Sequence, residues 1–218
     1  MNKVMKSLML GGIAVIATVS IAACSSSSKS SSSSSSADST KPVATIASLS
    51  GTSTSVKLDS GFTGALTTLG LTPGVLGSAT LDGTTGTVSF PITGGHVTVY
   101  QKGAVDPYVQ GDIEHAGSGL SLKAGTTEVD LQNFDINPGS SQLFGDVSVN
   151  GKVAATHAYL FNLDGSTLAP ITLSGGVATL TGTRVLVSDT AAGLLNQTFN
   201  TTAVKGGLLV GIATILAK

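Results

Sequence analysis

Few residues of this chain have the types and spacing to do chemistry. The 218-residue sequence holds three histidines and one cysteine. His96 opens an alternating apolar run, His115 ends the stretch Gln110-Gly-Asp-Ile-Glu-His, and His157 follows a turn signal. A neutral imidazole can ligate a metal or relay a proton, but each of these three also reads simply as a strand-edge or surface group. Asp112 and Glu114 stand at i and i+2, as do Glu128 and Asp130, so each pair shares one face of a strand. Such a pair could serve acid–base work or hold a cation, yet no third partner accompanies either one, and a solvated face is the simpler reading. No His-Glu-x-x-His, Gly-x-Ser-x-Gly, glycine-rich phosphate loop or calcium-loop pattern occurs. The single Ser-x-x-Lys, Ser26 to Lys29, lies in a run of serines. The expectation is a protein that is not an enzyme, with no metal site.

Charge removes another class. Only 11% of residues are charged, and from residue 43 onward seven Lys or Arg face eleven Asp or Glu, a balance near −4. Nucleic-acid binding needs clustered cations to displace counterions from phosphates, so no nucleic-acid partner is expected. With one cysteine, no internal disulfide can form, and packing alone must hold the fold.

That cysteine has a specific setting. Lys3 and Lys6 make a short positive start, and Leu8 to Ala23 form an apolar run of about sixteen residues. This suits a signal peptide and is short for a membrane span. The run ends Ile21-Ala22-Ala23-Cys24, which resembles the lipobox of bacterial lipoproteins. The resemblance implies cleavage before Cys24, a diacylglyceryl group on its sulfur, and a cell-membrane location on the extracytoplasmic face. After Cys24 a serine tract continues to about Pro42 with almost nothing apolar to bury. As a flexible tether of ~18 residues it spans on the order of 23 Å. The expected organisation is a signal peptide over 1–23, lipidated Cys24 and tether over 24–42, and one domain over 43–218.

The elements that must position the remaining candidates are mostly strands. Asp146-Val-Ser-Val-Asn-Gly-Lys-Val-Ala-Ala155 alternates on both sides of Asn150-Gly151, a pair that tolerates the positive φ of a type I′ turn. Similar runs at 87–90, 96–100, 109–113, 127–131, 159–163, 177–180, 184–187 and 208–216 predict further strands. Turn signals stand at Asp82-Gly83, Gly94-Gly95, Pro138-Gly139, Asp164-Gly165 and Gly175-Gly176. Two short helices are expected: one carrying Phe62, Ala65, Leu66 and Leu69 and ending at Gly70, another over 190–196 capped by Ser188 or Asp189. The apolar run 208–216 is about half the length of a span and reads as a buried closing strand. The fold class is all-β: an antiparallel β-sandwich, or an open barrel, with two short helices.

From about Ser55 to Lys218 the order of several short stretches resembles the Htaa-type domain, a secreted β-rich module of bacterial haem uptake. They are Ser60-Gly-Phe62, Val88-Ser-Phe-Pro91, Gly111-Asp-Ile-Glu-His115 with Leu120-Ser-Leu122, and Val129-Asp-Leu-Gln-Asn133. Val185–Ser188, Ala191-Ala-Gly-Leu-Leu195 and Gly206–Gly211 complete the set. The resemblance implies an axial tyrosine on the first helix with a histidine as its hydrogen-bond partner. His115 falls at the histidine. The tyrosine position does not match: three residues beyond Phe62 stands Ala65, then Leu66, and no tryptophan precedes the helix. Tyr100 and Tyr108 are the substitutes the chain offers for the vicinity of a haem. The leading expectation is therefore a surface-anchored, non-enzymatic binding or interaction module for an envelope protein or a small apolar ligand, without a cofactor. Haem or another tetrapyrrole is the alternative, and a structural envelope component is a further one.

Overall fold

The computed structural model describes residues 41–218. The signal peptide, Cys24 and nearly all of the tether fall outside the described residues. Strands β1 (Ala44–Ile46) and β2 (Thr52–Leu58) lead into helix α1 (Ser60–Thr68). Then follow β3 (Thr72–Gly77), β4 (Thr80–Asp82), β5 (Thr87–Pro91), β6 (Gly94–Val99), β7 (Val109–Ala124), β8 (Thr127–Asn137), β9 (Gln142–Val149) and β10 (Lys152–Asp164). After a single 3-10 turn (Gly165–Thr167) come β11 (Thr172–Ser174), β12 (Val177–Val187), helix α2 (Asp189–Thr198) and β13 (Leu209–Ala217).

The strands form one sheet in the order β1-β6-β7-β8-β9-β10-β12-β13-β2-β5-β4, with β3 on β7 and β11 on β12 as side pairings. Every pairing of named strands is antiparallel. The side pairing of β3 closes the molecule. The first half of β7 pairs with β6 and its second half, Ser118–Lys123, pairs with β3. Only Ser78 and Ala79 separate β3 from β4, which pairs with β5 at the far end of the sheet. The sheet must therefore curl until its far end returns beside β7. The all-β expectation holds in its open-barrel form, with one continuous sheet in place of two facing ones.

Alternation decides what the barrel contains. Along β5, Val88 and Phe90 point inward, and along β6 Val97 and Val99 do the same, while their neighbours face out. Together with Leu131, Phe134, Ile136, Leu160, Phe161 and Ile215 they build one core. The run 208–216 becomes β13, buried between β12 and β2. Asn150 and Gly151 both take positive φ, 49° and 75°, as the hairpin between β9 and β10 requires.

Two sequence readings change. Gly94-Gly95 is no turn but part of β6: Gly95 lies at φ 105°, and a Cβ there would collide with the Asp112 carbonyl across the ladder. Segments 177–180 and 184–187 are one strand, β12, interrupted by a register shift between Thr181 and Thr183. Gly182, at φ 106°, lets the Thr167 backbone approach at that bulge.

Bulges also line up across the middle of the sheet. Register shifts fall in β7 after His115, in β8 between Gln132 and Asp135, and in β10 between Ala155 and Ala158. Asn133 and His157 adopt φ of 54° and 48° there. Their backbones are stitched together. The Gly117 N–H donates to Asn133 Oδ1 at 2.9 Å, Asn133 Nδ2 to Asp146 Oδ2 at 2.9 Å, and the His157 N–H to Asp146 Oδ1 at 3.0 Å. These bonds hold the Asp146 carboxyl below the usual carboxylate range, the Asn133 amide contributing most. In β7 the shift exchanges which residues face inward: Ile113 and His115 before it, Leu120 and Leu122 after it.

Candidate functional site

The two helices cover one region of the barrel interior. Asp59 caps α1, its carboxylate accepting from the Gly61 and Phe62 N–H groups at 2.8 and 3.3 Å. Ser188 caps α2: its Oγ accepts from the Ala191 N–H at 3.0 Å and donates to the Tyr159 carbonyl at 2.7 Å. The two expected helices thus stand where the apolar periodicity put them, and Ser188 rather than Asp189 is the cap.

Between these helices and the sheet lies a cavity of about 110 Å³. α1 contributes Phe62, Ala65 and Leu66, with Leu69 just past its end, and α2 contributes Ala191, Leu194, Leu195 and Thr198. The floor comes from Leu120 and Leu122 of β7, Val129 and Leu131 of β8, Val147 and Val149 of β9, and Leu160 and Phe161 of β10. Ser121 and Thr198 bring the only side-chain hydroxyls to the lining. The inward face of each strand supplies these side chains, while Lys57 and Lys123 alternate to the outside beside Leu58 and Leu122.

A second compartment of about 50 Å³ adjoins it. His115 lines this one together with Thr54, Phe90, Phe134 and Ile136. The His115 side chain is buried, with Nδ1 3.3 Å from the Phe134 carbonyl and Nε2 2.8 Å from Thr54 Oγ1. A carbonyl can only accept, so Nδ1 carries the proton and Nε2 accepts from the threonine hydroxyl. Burial pushes the imidazole down to about 4, against the weaker upward pull of the Phe134 and Ile113 backbone groups. His115 is therefore neutral at pH 7 with both nitrogens engaged. Phe90 packs edge-on against it at 6.5 Å and against Phe134 at 5.2 Å, and Phe134 against Phe161 at 6.4 Å. That aromatic row runs from the imidazole to the wall of the larger cavity.

The other candidates stand elsewhere. Tyr100 and Tyr108, both half-buried, flank the loop before β7, where the Tyr100 N–H meets the Tyr108 carbonyl at 2.8 Å. Neither lines the two compartments. His96 Nδ1 lies 2.6 Å from Asp112 Oδ1 on the outer face, so Asp112 pairs across strands and not with Glu114. Glu128 faces Lys123 at 3.6 Å. His157 stacks on Phe144 at 4.6 Å and 7°. Burial raises the Asp130 and Asp135 carboxyls, with Glu128 adding to the first and Asp112 to the second. His157 and Ser148 oppose those shifts. Among the described residues no three His, Cys, Asp or Glu side chains gather as a metal site would need.

Sequence reasoning found α1, α2 and His115 but missed Thr54, the partner that fixes the imidazole. Thr54 sits in a Thr-Ser-Thr-Ser stretch whose alternation is visible only through Val56 and Leu58, and the pairing spans 61 residues. It also missed Phe161 as a wall common to both compartments.

No family model matches this sequence, and no curated protein matches it. Solved structures do resemble it. The C-terminal domain of HtaA from Corynebacterium glutamicum superposes with a TM-score of 0.54 at 14% identity, over 78% of this chain and 97% of that one. The heme binding protein HtaB of the same organism gives 0.49 at 13% identity, over 80% and 94%. The chain shares the fold of the HtaA domain.

Proposed function

We propose that this domain is a non-enzymatic binding module that receives a small apolar molecule between its two helices and the curled sheet. The observation that carries this reading is the cavity itself, walled by apolar side chains from both helices and the inward faces of the sheet. Haem or another tetrapyrrole is the ligand class favoured by the Htaa-type resemblance and the shared HtaA fold. Ala65 lines the cavity from the helix on which that resemblance places an axial tyrosine, and His115 is buried in the compartment next door. A haem here would meet apolar walls and no iron ligand from α1, which lines the cavity with Phe62, Ala65 and Leu66, and on β7 the His115 Nε2 lone pair is taken by Thr54.

Haemin titration tests the tetrapyrrole class directly: a shifted Soret band at micromolar haemin is expected. Ala65→Tyr, which sets a phenol on the cavity wall, should tighten binding at least tenfold. An unchanged Soret band in both proteins removes the tetrapyrrole and leaves the apolar-ligand reading to other probes.

Display outside the cytoplasm on a lipid at Cys24 belongs to the same proposal, supported by Ile21-Ala22-Ala23-Cys24 and by the absence of any other cysteine. Mass spectrometry of the mature protein should find an acylated Cys24 as its first residue. Any other N-terminus refutes the anchor.

A further inference from the structure

We infer that α1 is a lid: it swings off the larger cavity as a unit while α2 and the sheet stay folded, and a guest enters beneath it. The route in rests on the apolar-ligand reading above; the opening itself does not.

The two helices share the cavity but are fastened unequally. α2 is tied down at both ends. The Ser188 Oγ and N–H donate to the Tyr159 and Leu160 carbonyls at 2.7 and 3.0 Å. Further along, Asn196 Nδ2 donates to the Val204 carbonyl at 2.9 Å, and Asn196 Oδ1 accepts from the Val204 N–H at 3.1 Å. Ala191, Ala192 and Leu195 of this helix are fully buried.

α1 has no such ties. Among the described residues, every hydrogen bond made by 60–70 stays within 59–71. Only Leu66 of its nine residues is fully buried. Phe62, Ala65 and Leu66 border the cavity, where empty space gives them no atoms to touch. A helix of nine residues does not hold together without packing. Gly61 and Gly64 lower its propensity further, and Thr63, Thr67 and Thr68 turn their hydroxyls back onto carbonyls three or four residues earlier. Segments with few buried contacts and only local hydrogen bonds open well below the global unfolding free energy.

The chain on either side of α1 is anchored, so the helix can move without dragging the sheet. Before it, the Asp59 N–H donates to the Val210 carbonyl at 2.9 Å. After it, Gly70 turns at φ 65°, and from Thr72 onward β3 is paired with β7. Lifting α1 takes Phe62, Ala65 and Leu66 out of the wall and leaves α2 and the strands that line the cavity in place.

Gly64 and Gly193 make a matched pair of probes, one in each helix. Both are exposed, neither lines the cavity, and an added Cβ at either meets nothing within 4 Å. In native-state hydrogen exchange of the full-length protein, amides 64–69 should exchange at least about a hundredfold faster than amides 192–198. Gly64→Ala should slow the α1 amides about fivefold, the equivalent of about 1 kcal/mol of helix propensity. Benzene serves as the guest, since an apolar cavity of roughly 150 Å³ holds it and one of about 110 Å³ takes it with a slight yielding of α1. Its entry rate, read by NMR exchange, should fall about fivefold in Gly64→Ala and stay unchanged in Gly193→Ala.

Amides of α1 as well protected as those of α2 overturn the lid, whatever benzene does. Entry slowed by Gly193→Ala instead, or by neither variant, overturns α1 as the route in. If benzene does not bind while the α1 amides exchange fast, the opening stands, and the apolar-ligand reading falls together with the route.

Discussion

The cavity under the helices and the smaller compartment at His115 share Leu58, Val88, Leu120, Phe161 and Val210 as walls, yet they are built on opposite terms. In the larger, space is left open and almost no polar atom borders it. In the smaller, a polar ring is admitted to the core, and each of its nitrogens is given a fixed partner. A buried polar group costs little only when fully hydrogen-bonded, so the imidazole compartment is a closed structural unit. An apolar void needs no partner and stays able to accept a guest.

The most severe way to break this contrast is to remove the wall. Phe161→Ala should join the two compartments and destabilise the domain by about 3–5 kcal/mol, read by urea denaturation; a loss under about 1 kcal/mol would mean that the wall is not where the packing puts it. Acid attacks the smaller compartment alone. The His115 imidazole titrates near 4 in the folded chain and near 6.5 when unfolded, so the unfolded state binds more protons between these values. Stability should hold steady above pH 6.5 and fall by about 3 kcal/mol as pH drops towards 4. His115→Phe should abolish that part of the acid dependence, and an unchanged profile would contradict a buried neutral imidazole.

Thr54→Val keeps the shape but strands Nε2 without its donor, and should cost about 1–3 kcal/mol at neutral pH. Equal stability of the variant would show that the ring finds another partner. The smallest effect belongs to the roof of the larger cavity. Ser188→Ala removes both the α2 cap and the bond to Tyr159, for about 1–2 kcal/mol in thermal unfolding. Helix content by circular dichroism should report loosening confined to α2.

Much of the frame was legible because it is written locally. Asn150-Gly151 announces its hairpin, and Phe62, Ala65, Leu66 and Leu69 mark α1 by spacing alone. β3 was not legible: Thr72-Pro-Gly-Val-Leu-Gly77 carries a proline and two glycines where a strand prefers branched residues. It is a strand because β7 offers a free edge beyond its bulge, a fact set by residues about 45 positions away. The same limit applied to the site. His115 could be singled out by type, but its burial follows from the register shift that sets which residues of β7 face inward. Glycine misled at Gly95, which read as a turn, and Gly182 fell in the gap between two runs that read as separate strands, while the folded chain uses both to let backbones touch.

The stitched bulges of β7, β8 and β10 carry a consequence for how this architecture can diverge. They act as a crease, and the angle of a crease governs how far apart two flaps of sheet stand. Altering Asn133 or Asp146 would therefore resize the interior without changing any side chain that a guest touches. Capacity and lining chemistry are written at separate positions, and descendants of this scaffold can tune one while keeping the other.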